Sequence, residues 1–175
     1  NMLLQQRPGE VVNFKDGREL ADWSRGLIRA VAEAGVVSGY PDGSFGPHKP
    51  ITRGEVAVML ARTIGTLIQT AGTHSLGNAY GNVTITTSGV TLKDTVIAGD
   101  LYLTGGIDLG DVLLENVTVL GKIIASGGGE SNKGDSSIIL RNVTASEMVV
   151  DSLAKQFVTL RAEGDTNIEK TNVRV

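Results

Sequence analysis

Two hydrophobic periods divide the chain. From residue 14 to 69 apolar positions return at helical spacing, and from Gly81 onward they alternate in short runs that recur at a longer interval. In the first half, the stretch from Leu20 to Ala34 puts Leu20, Trp23, Leu27 and Val31 on one helical face, and Gly35 follows as a terminating glycine. A second helix is predicted from Thr52. Thr52-Arg53-Gly54-Glu55 has the form of a capping box, and Val56, Met59, Leu60, Ile64 and Leu67 continue its apolar face. Between the helices, the glycines, prolines and Asp-Gly pair of Gly39-Tyr-Pro-Asp-Gly-Ser-Phe-Gly-Pro47 make a fixed, turn-rich loop. Residues 71–80, small and polar, read as a linker or cap.

The second half carries a repeat. Val90–Ile97, Val112–Val119 and Ile138–Ala145 align, with a partial fourth copy at Val158–Arg161, at spacings of 22, 26 and 20 residues. A second strand type alternates with the first along the chain. It appears at Gly81–Ile85, Gly99–Leu103, Gly121–Ala125 and Ser146–Val150, spaced by 18, 22 and 25. Such a unit suits one coil of a β-solenoid. Alternation sets the register: Val90/Leu92, Val112/Leu114, Ile138/Leu140 and Val158/Leu160 point inward in the first type. Val83/Ile85, Leu101/Leu103, Ile123/Ala125 and Met148/Val150 do so in the second. Lys93, Glu115 and Arg141 then form one outward column, and Asp100, Lys122 and Glu147 another, each alternating in sign along the stack. Asp94, Asn116 and Asn142 share one corner position, where stacked Asx side chains can bond the turn and one another. The loop from Gly127 to Asp135 is the insertion that lengthens one coil. The expected fold is α+β: a small helical module over 1–70 (complete at about 14–65), then a short right-handed parallel β-helix of four to five coils over 81–175.

Composition narrows the function. A net charge of −3 gives no field to favour nucleic acid or an anionic membrane, and no apolar run is long enough to span a bilayer. With no cysteine there are no disulfides and no thiolate metal sites. Asn1-Met-Leu-Leu4 leads at once into Gln5-Gln-Arg7, which is no signal peptide; because the chain starts on Asn rather than Met, it is expected to be a mature or excised fragment. His48 and His74 stand alone, and Asp108 and Asp111 supply too few oxygens for calcium by themselves, so neither a metal nor a cofactor is expected.

The first half resembles the S-layer homology module of bacterial surface proteins. The resemblance rests on Phe14-Lys-Asp16, Trp23, Ile28, the Gly35-Val-Val-Ser-Gly-Tyr-Pro-Asp-Gly-Ser-Phe45 loop, Pro47 and Ile51-Thr-Arg-Gly-Glu55, in order and at the family's distances. Gly54 stands where the family has alanine, and Gly46 where a base is common. Such modules usually occur in threes, and Met2-Leu3-Leu4 reads as the tail of a preceding copy. The resemblance implies non-covalent binding of secondary cell-wall polysaccharide, often pyruvylated, and an extracellular place on the bacterial wall or S-layer. It also implies that Arg53 pairs with a ligand carboxylate, with Trp23, Asp42 and the backbone of Gly39 and Gly43 around it. Each residue has a structural alternative: Arg53 paired with Glu55 or Asp42, Trp23 in the core, Asp42 as turn former and Glu55 as helix cap.

Two functional classes follow. One is a non-enzymatic anchor with the β-helix as spacer or display domain. The other is a carbohydrate-binding or adhesive β-helix capped by the helical unit. For the latter, Tyr102, Ile124 and Val149 form an outward apolar column beside Thr84, suited to lateral self-association or a polysaccharide, or to being covered by the helical unit. A pectin-active enzyme is a remote third reading, because neither a catalytic carboxylate set nor a nucleophile motif is visible.

Overall fold

A computed structural model describes residues 13–128, 138–151 and 158–174. The chain forms two compact units that divide between Thr63 and Ile64.

The first unit holds a 3-10 turn at Gly17–Glu19 and two α-helices, α1 (Asp22–Glu33) and α2 (Arg53–Ile64). Helix α1 ends where the sequence predicts. Gly35 takes φ 72°, its N–H donates to Ala32 O, and the Val36 N–H reaches back to Val31 O, so the last turn's carbonyls are satisfied. The predicted apolar face of α1 does not face inward. Leu20 and Ala32 are buried and Ile28 is half-buried, while Leu27 and Val31 are exposed and Trp23 is 78% exposed. The row Ser24, Ile28, Ala32 turns inward instead. Helix α2 behaves alike: Met59 is half-buried, and Val56, Leu60 and Ile64 are exposed. A unit this small has too little interior to bury two apolar rows per helix.

The second unit is a parallel β-solenoid of about four turns. Its strands are β1 (Thr66–Ile68), β2 (Gly72–His74), β3 (Gly77–Ala79), β4 (Val83–Ile85), β5 (Val90–Ile97), β6 (Leu101–Leu103), β7 (Val112–Ala125), β8 (Ile138–Asp151), β9 (Leu160–Glu163) and β10 (Asn167–Arg174). The solenoid thus begins earlier than its sequence repeat. Leu67 lies in β1, not on α2, and the stretch read as a linker holds β2 and β3, which pair with β5.

Each coil has three faces, because the long strands bend at the Asx corner. The first face stacks His74, Leu92, Leu114, Leu140 and Ala162. The second stacks Ala79, Ile97, Val119, Ala145 and Ile168. The third stacks Ile68, Ile85, Leu103, Ala125, Val150 and Val173. The read register holds from Val83 to Val150 and slips in the last copy. Ile138 pairs with Leu160 and Leu140 with Ala162, so the partial repeat starts two residues later than the sequence repeat predicts. Only part of the coil insertion is described: Gly127 and Gly128 are buried, and the rest lies outside the described residues, as does Met2-Leu3-Leu4.

The corner column forms. Asp94, Asn116 and Asn142 sit at φ 48°, 54° and 53°, a left-handed region that Asx tolerates better than other side chains. Asn116 Nδ2 donates to Asp94 Oδ1 and Asn142 Nδ2 to Asn116 Oδ1, both at 3.0 Å, and the Asp165 N–H closes the ladder on Asn142 Oδ1. At the next corner, Gly121 has no room for a side chain: a Cβ there would lie 2.6 Å from Gly99 O. The charge columns pair in part: among the described residues no ion pair reaches Lys93 or Asp100. Arg141 bridges Glu115 (3.1 Å) and Glu163 (2.9 Å), and Lys122 meets Glu147 at 2.7 Å.

Candidate functional site

Local sequence chemistry locks the loop between α1 and α2. The Asp16 carboxylate accepts the N–H of Phe45 on one oxygen and of Gly46 on the other, each at 2.8 Å. Beside it the rings of Phe14 and Phe45 lie 5.2 Å apart. Asp42 makes an Asx turn, its Oδ1 accepting from the N–H (3.0 Å) and hydroxyl (2.6 Å) of Ser44. At the loop's end the capping box closes: Glu55 N–H donates to Thr52 Oγ1, and Glu55 Oε2 accepts from the Thr52 N–H and hydroxyl, both 2.8 Å. The other Glu55 oxygen accepts from the Tyr40 hydroxyl at 3.0 Å, so one carboxylate caps α2 and ties the loop to it.

These donors shift the carboxylates. The Phe45 and Gly46 amides hold Asp16 below the ordinary aspartate value, and the Thr52 amide and hydroxyl, then Tyr40, lower Glu55. The Ser44 hydroxyl and amide lower Asp42, and the bond to Glu55 raises Tyr40. A folded-state pKa below the unfolded one adds stability that is complete above ordinary carboxylate titration and lost as pH falls through the lowered value. The helical unit is therefore expected to loosen only below about pH 4. In ¹H–¹⁵N spectra the Phe45 and Gly46 amides should titrate together, with a midpoint below the usual aspartate value. A midpoint at or above that value would mean the two amides do not hold the carboxylate.

The loop and α2 enclose a cleft of about 570 Å³. Its walls are largely apolar, with Pro41, Phe45, Pro47, Ile51, Val58 and Met59 among them, and its charged groups are Lys49, Glu55 and Arg62. Lys49 Nζ lies 4.2 Å from the Tyr40 ring centroid. One Arg62 nitrogen reaches Val36 O (3.4 Å) and Ser38 Oγ (3.3 Å).

The five residues that the resemblance implies do not share one cavity. Gly39 lines the cleft at φ 69°, where a Cβ would lie 2.7 Å from the Phe14 ring. Gly43 and Asp42 form the loop's turn, the Gly43 N–H donating to Tyr40 O. Arg53 instead borders a shallow groove with Ile51, Val56 and Leu60. It is exposed and makes no ion pair or hydrogen bond among the described residues, because Glu55 and Asp42 are engaged elsewhere. Trp23 is not in the core and lines neither cavity. Gly54 leaves a Cβ free, its nearest neighbour being Thr52 Oγ1 at 4.0 Å, so the family's alanine would fit. Sequence reasoning assigned no role to Tyr40, Lys49 or Asp16. The one available signal is that an aromatic, Tyr40, and a base, Lys49, bracket the turn.

The outward column on the third face forms in register, Thr84 beside Tyr102, then Ile124 and Val149. It is not the open stripe the alternation suggested: Thr84 and Val149 are buried, and Tyr102 and Ile124 are half-buried. The Tyr102 hydroxyl donates to Asp100. Among the described residues no group of three or more His, Asp or Glu is placed to hold a metal ion, and no helix is long and apolar enough to cross a membrane.

A loop-clamped helical module followed in sequence by a parallel solenoid marks a modular protein. The first module is identifiable: residues 13–57 match the S-layer homology domain, which indicates a wall-associated cell-surface protein. The chain is also similar to an amylopullulanase of Thermoanaerobacterium thermosulfurigenes, 31% identical over 61 residues, which is 34% of this chain and 3% of that protein. No solved structure matches the chain.

Proposed function

We propose that this chain belongs to a non-enzymatic surface protein. Its S-layer homology domain holds secondary cell-wall polysaccharide non-covalently, and the solenoid serves as a rigid spacer or display element. One observation carries the reading: within the matched domain, the Arg53 guanidinium stands exposed on the first turn of α2 with no partner among the described residues. A guanidinium fork there offers charge and donors to an acidic sugar. The solenoid's outward charges pair along the stack rather than converging as catalytic carboxylates do, which favours a structural role. The match to the amylopullulanase spans too little of that protein to transfer its activity.

The test is co-sedimentation of the full chain with wall sacculi, intact or stripped of secondary polymer. Pelleting is expected to need the polymer and to weaken about tenfold in Arg53→Ala, with Arg53→Lys in between. Pelleting indifferent to stripping would sink the anchor reading and turn attention to the solenoid.

A further inference from the structure

We infer that the corner after the solenoid's second face is a binding site for a neutral glycan, with Tyr80 as its stacking platform. The strand ladders place the site. Ala79 pairs with Ile97 and Val83 with Leu101, so Tyr80 lies one coil from Ala98. Ile97 pairs with Val119 and Leu101 with Ile123, which puts Leu120 on the other side of Ala98. Val96 flanks Ala98 two residues back along the same outward row, since Ile97 between them points inward. Tyr80 is 87% exposed, Leu120 65% and Val96 41%, whereas the outward column on the third face is half-buried or buried. Three large apolar groups thus surround one small alanine and leave a notch open to solvent.

The size and chemistry of the patch fit a sugar better than a protein. Two residues along the strand and two coil spacings make it about 7 Å by 10 Å, which holds one or two pyranose rings. A stable protein partner, a second copy included, needs roughly 800 Å² on each side. The outward residues beside the patch, Asn78, Thr118 and Ser146, bring amide and hydroxyl groups and no charge. The nearest charges are engaged: Asp100 accepts from the Lys122 amide and the Tyr102 hydroxyl, and the Lys122 ammonium meets Glu147. Gly81, Gly99 and Gly121 form the adjoining corner, so no side chain walls the patch there and a flat ring can lie against it. A neutral sugar has the matching make-up, an apolar C–H face for Tyr80 and Leu120 and hydroxyls at its edge for the polar rim. The site belongs to the second unit and does not depend on Arg53 or on the anchor reading.

The experiment is a ¹H–¹⁵N titration of the full chain with two uncharged oligosaccharides, cellotriose and triacetylchitotriose, at millimolar concentrations. At least one should shift the Tyr80, Ala98 and Leu120 amides, equally in low salt and in about 0.5 M sodium chloride, because no charge takes part. Tyr80→Ala should weaken that binding about tenfold. Tyr80→Phe should hold it within about threefold, since the ring face and not the hydroxyl makes the contact. Tyr80 is exposed, so the rest of the spectrum should be unchanged in both variants. Arg53→Ala should bind these sugars as the parent does, which separates a failed anchor from a failed corner site. The inference falls if neither sugar moves these amides, if binding fades with salt, or if Tyr80→Ala binds as the parent does. It falls too if the same amides shift with protein concentration alone, which would give the patch to a second copy of the chain.

Discussion

Leu114→Ala is expected to destabilise the solenoid by about 3–4 kcal/mol. The Leu114 side chain is 0% exposed and sits mid-stack, between Leu92 and Leu140 on the same face. The loss has two parts, the apolar transfer of the deleted methyls and the cavity they leave. Relaxation into that cavity is limited, because parallel ladders to β5 and β8 fix the β7 backbone on both sides. Urea titration followed by the far-ultraviolet β-sheet signal measures it, with Leu120→Ala as control. Leu120 lies on the next corner, 65% exposed, and its truncation should cost less than about 0.5 kcal/mol. A Leu114→Ala loss under about 1 kcal/mol would mean that the coils close over the void and that the interior is not tightly packed.

The second large effect is at the Asx corner. Asn116→Ala should cost about 2–3 kcal/mol, since it puts a plain Cβ at φ 54° and removes bonds to both Asp94 and Asn142. Asn116→Gly removes the same bonds but relieves the dihedral, so it should recover about 1 kcal/mol of that loss. Equal losses for the two variants would assign the whole effect to the amide ladder. Losses under about 0.5 kcal/mol for both would show that water replaces the ladder without cost.

The middle of the solenoid was legible because several constraints there agree. Inward alternation, two sign-alternating columns and an Asx column pick one register between Val90 and Val150. Its ends were not. Strands β1 to β3 are three residues each and mostly exposed, so too few buried positions remain to show a period of two. At Val158 the apolar spacing suggested a register that β9 does not use, with Leu160 where Val158 was expected. In the helical unit the capping box was readable because Thr52 and Glu55 are three residues apart. The outward turn of Trp23 was not, since periodicity says which residues share a face and not what the face meets. The clamp at Asp16 was out of reach for a different reason: its partners lie 29 and 30 residues away.

The stacking of the coils also bears on how the protein would carry mechanical load. Neighbouring coils are joined by main-chain hydrogen bonds that run from one coil to the next, as where Val90 pairs with Val112 and Val112 in turn with Ile138. Tension between the ends of the stack falls on these bonds in series, so an end coil can peel away while the others remain folded. A coil of 22 residues, the offset between β5 and β7, would release roughly 70–80 Å of chain. A force–extension trace would then show a sawtooth of small steps rather than one large rupture. A tethered chain of this build yields gradually under shear and can rewind from the coils still in place.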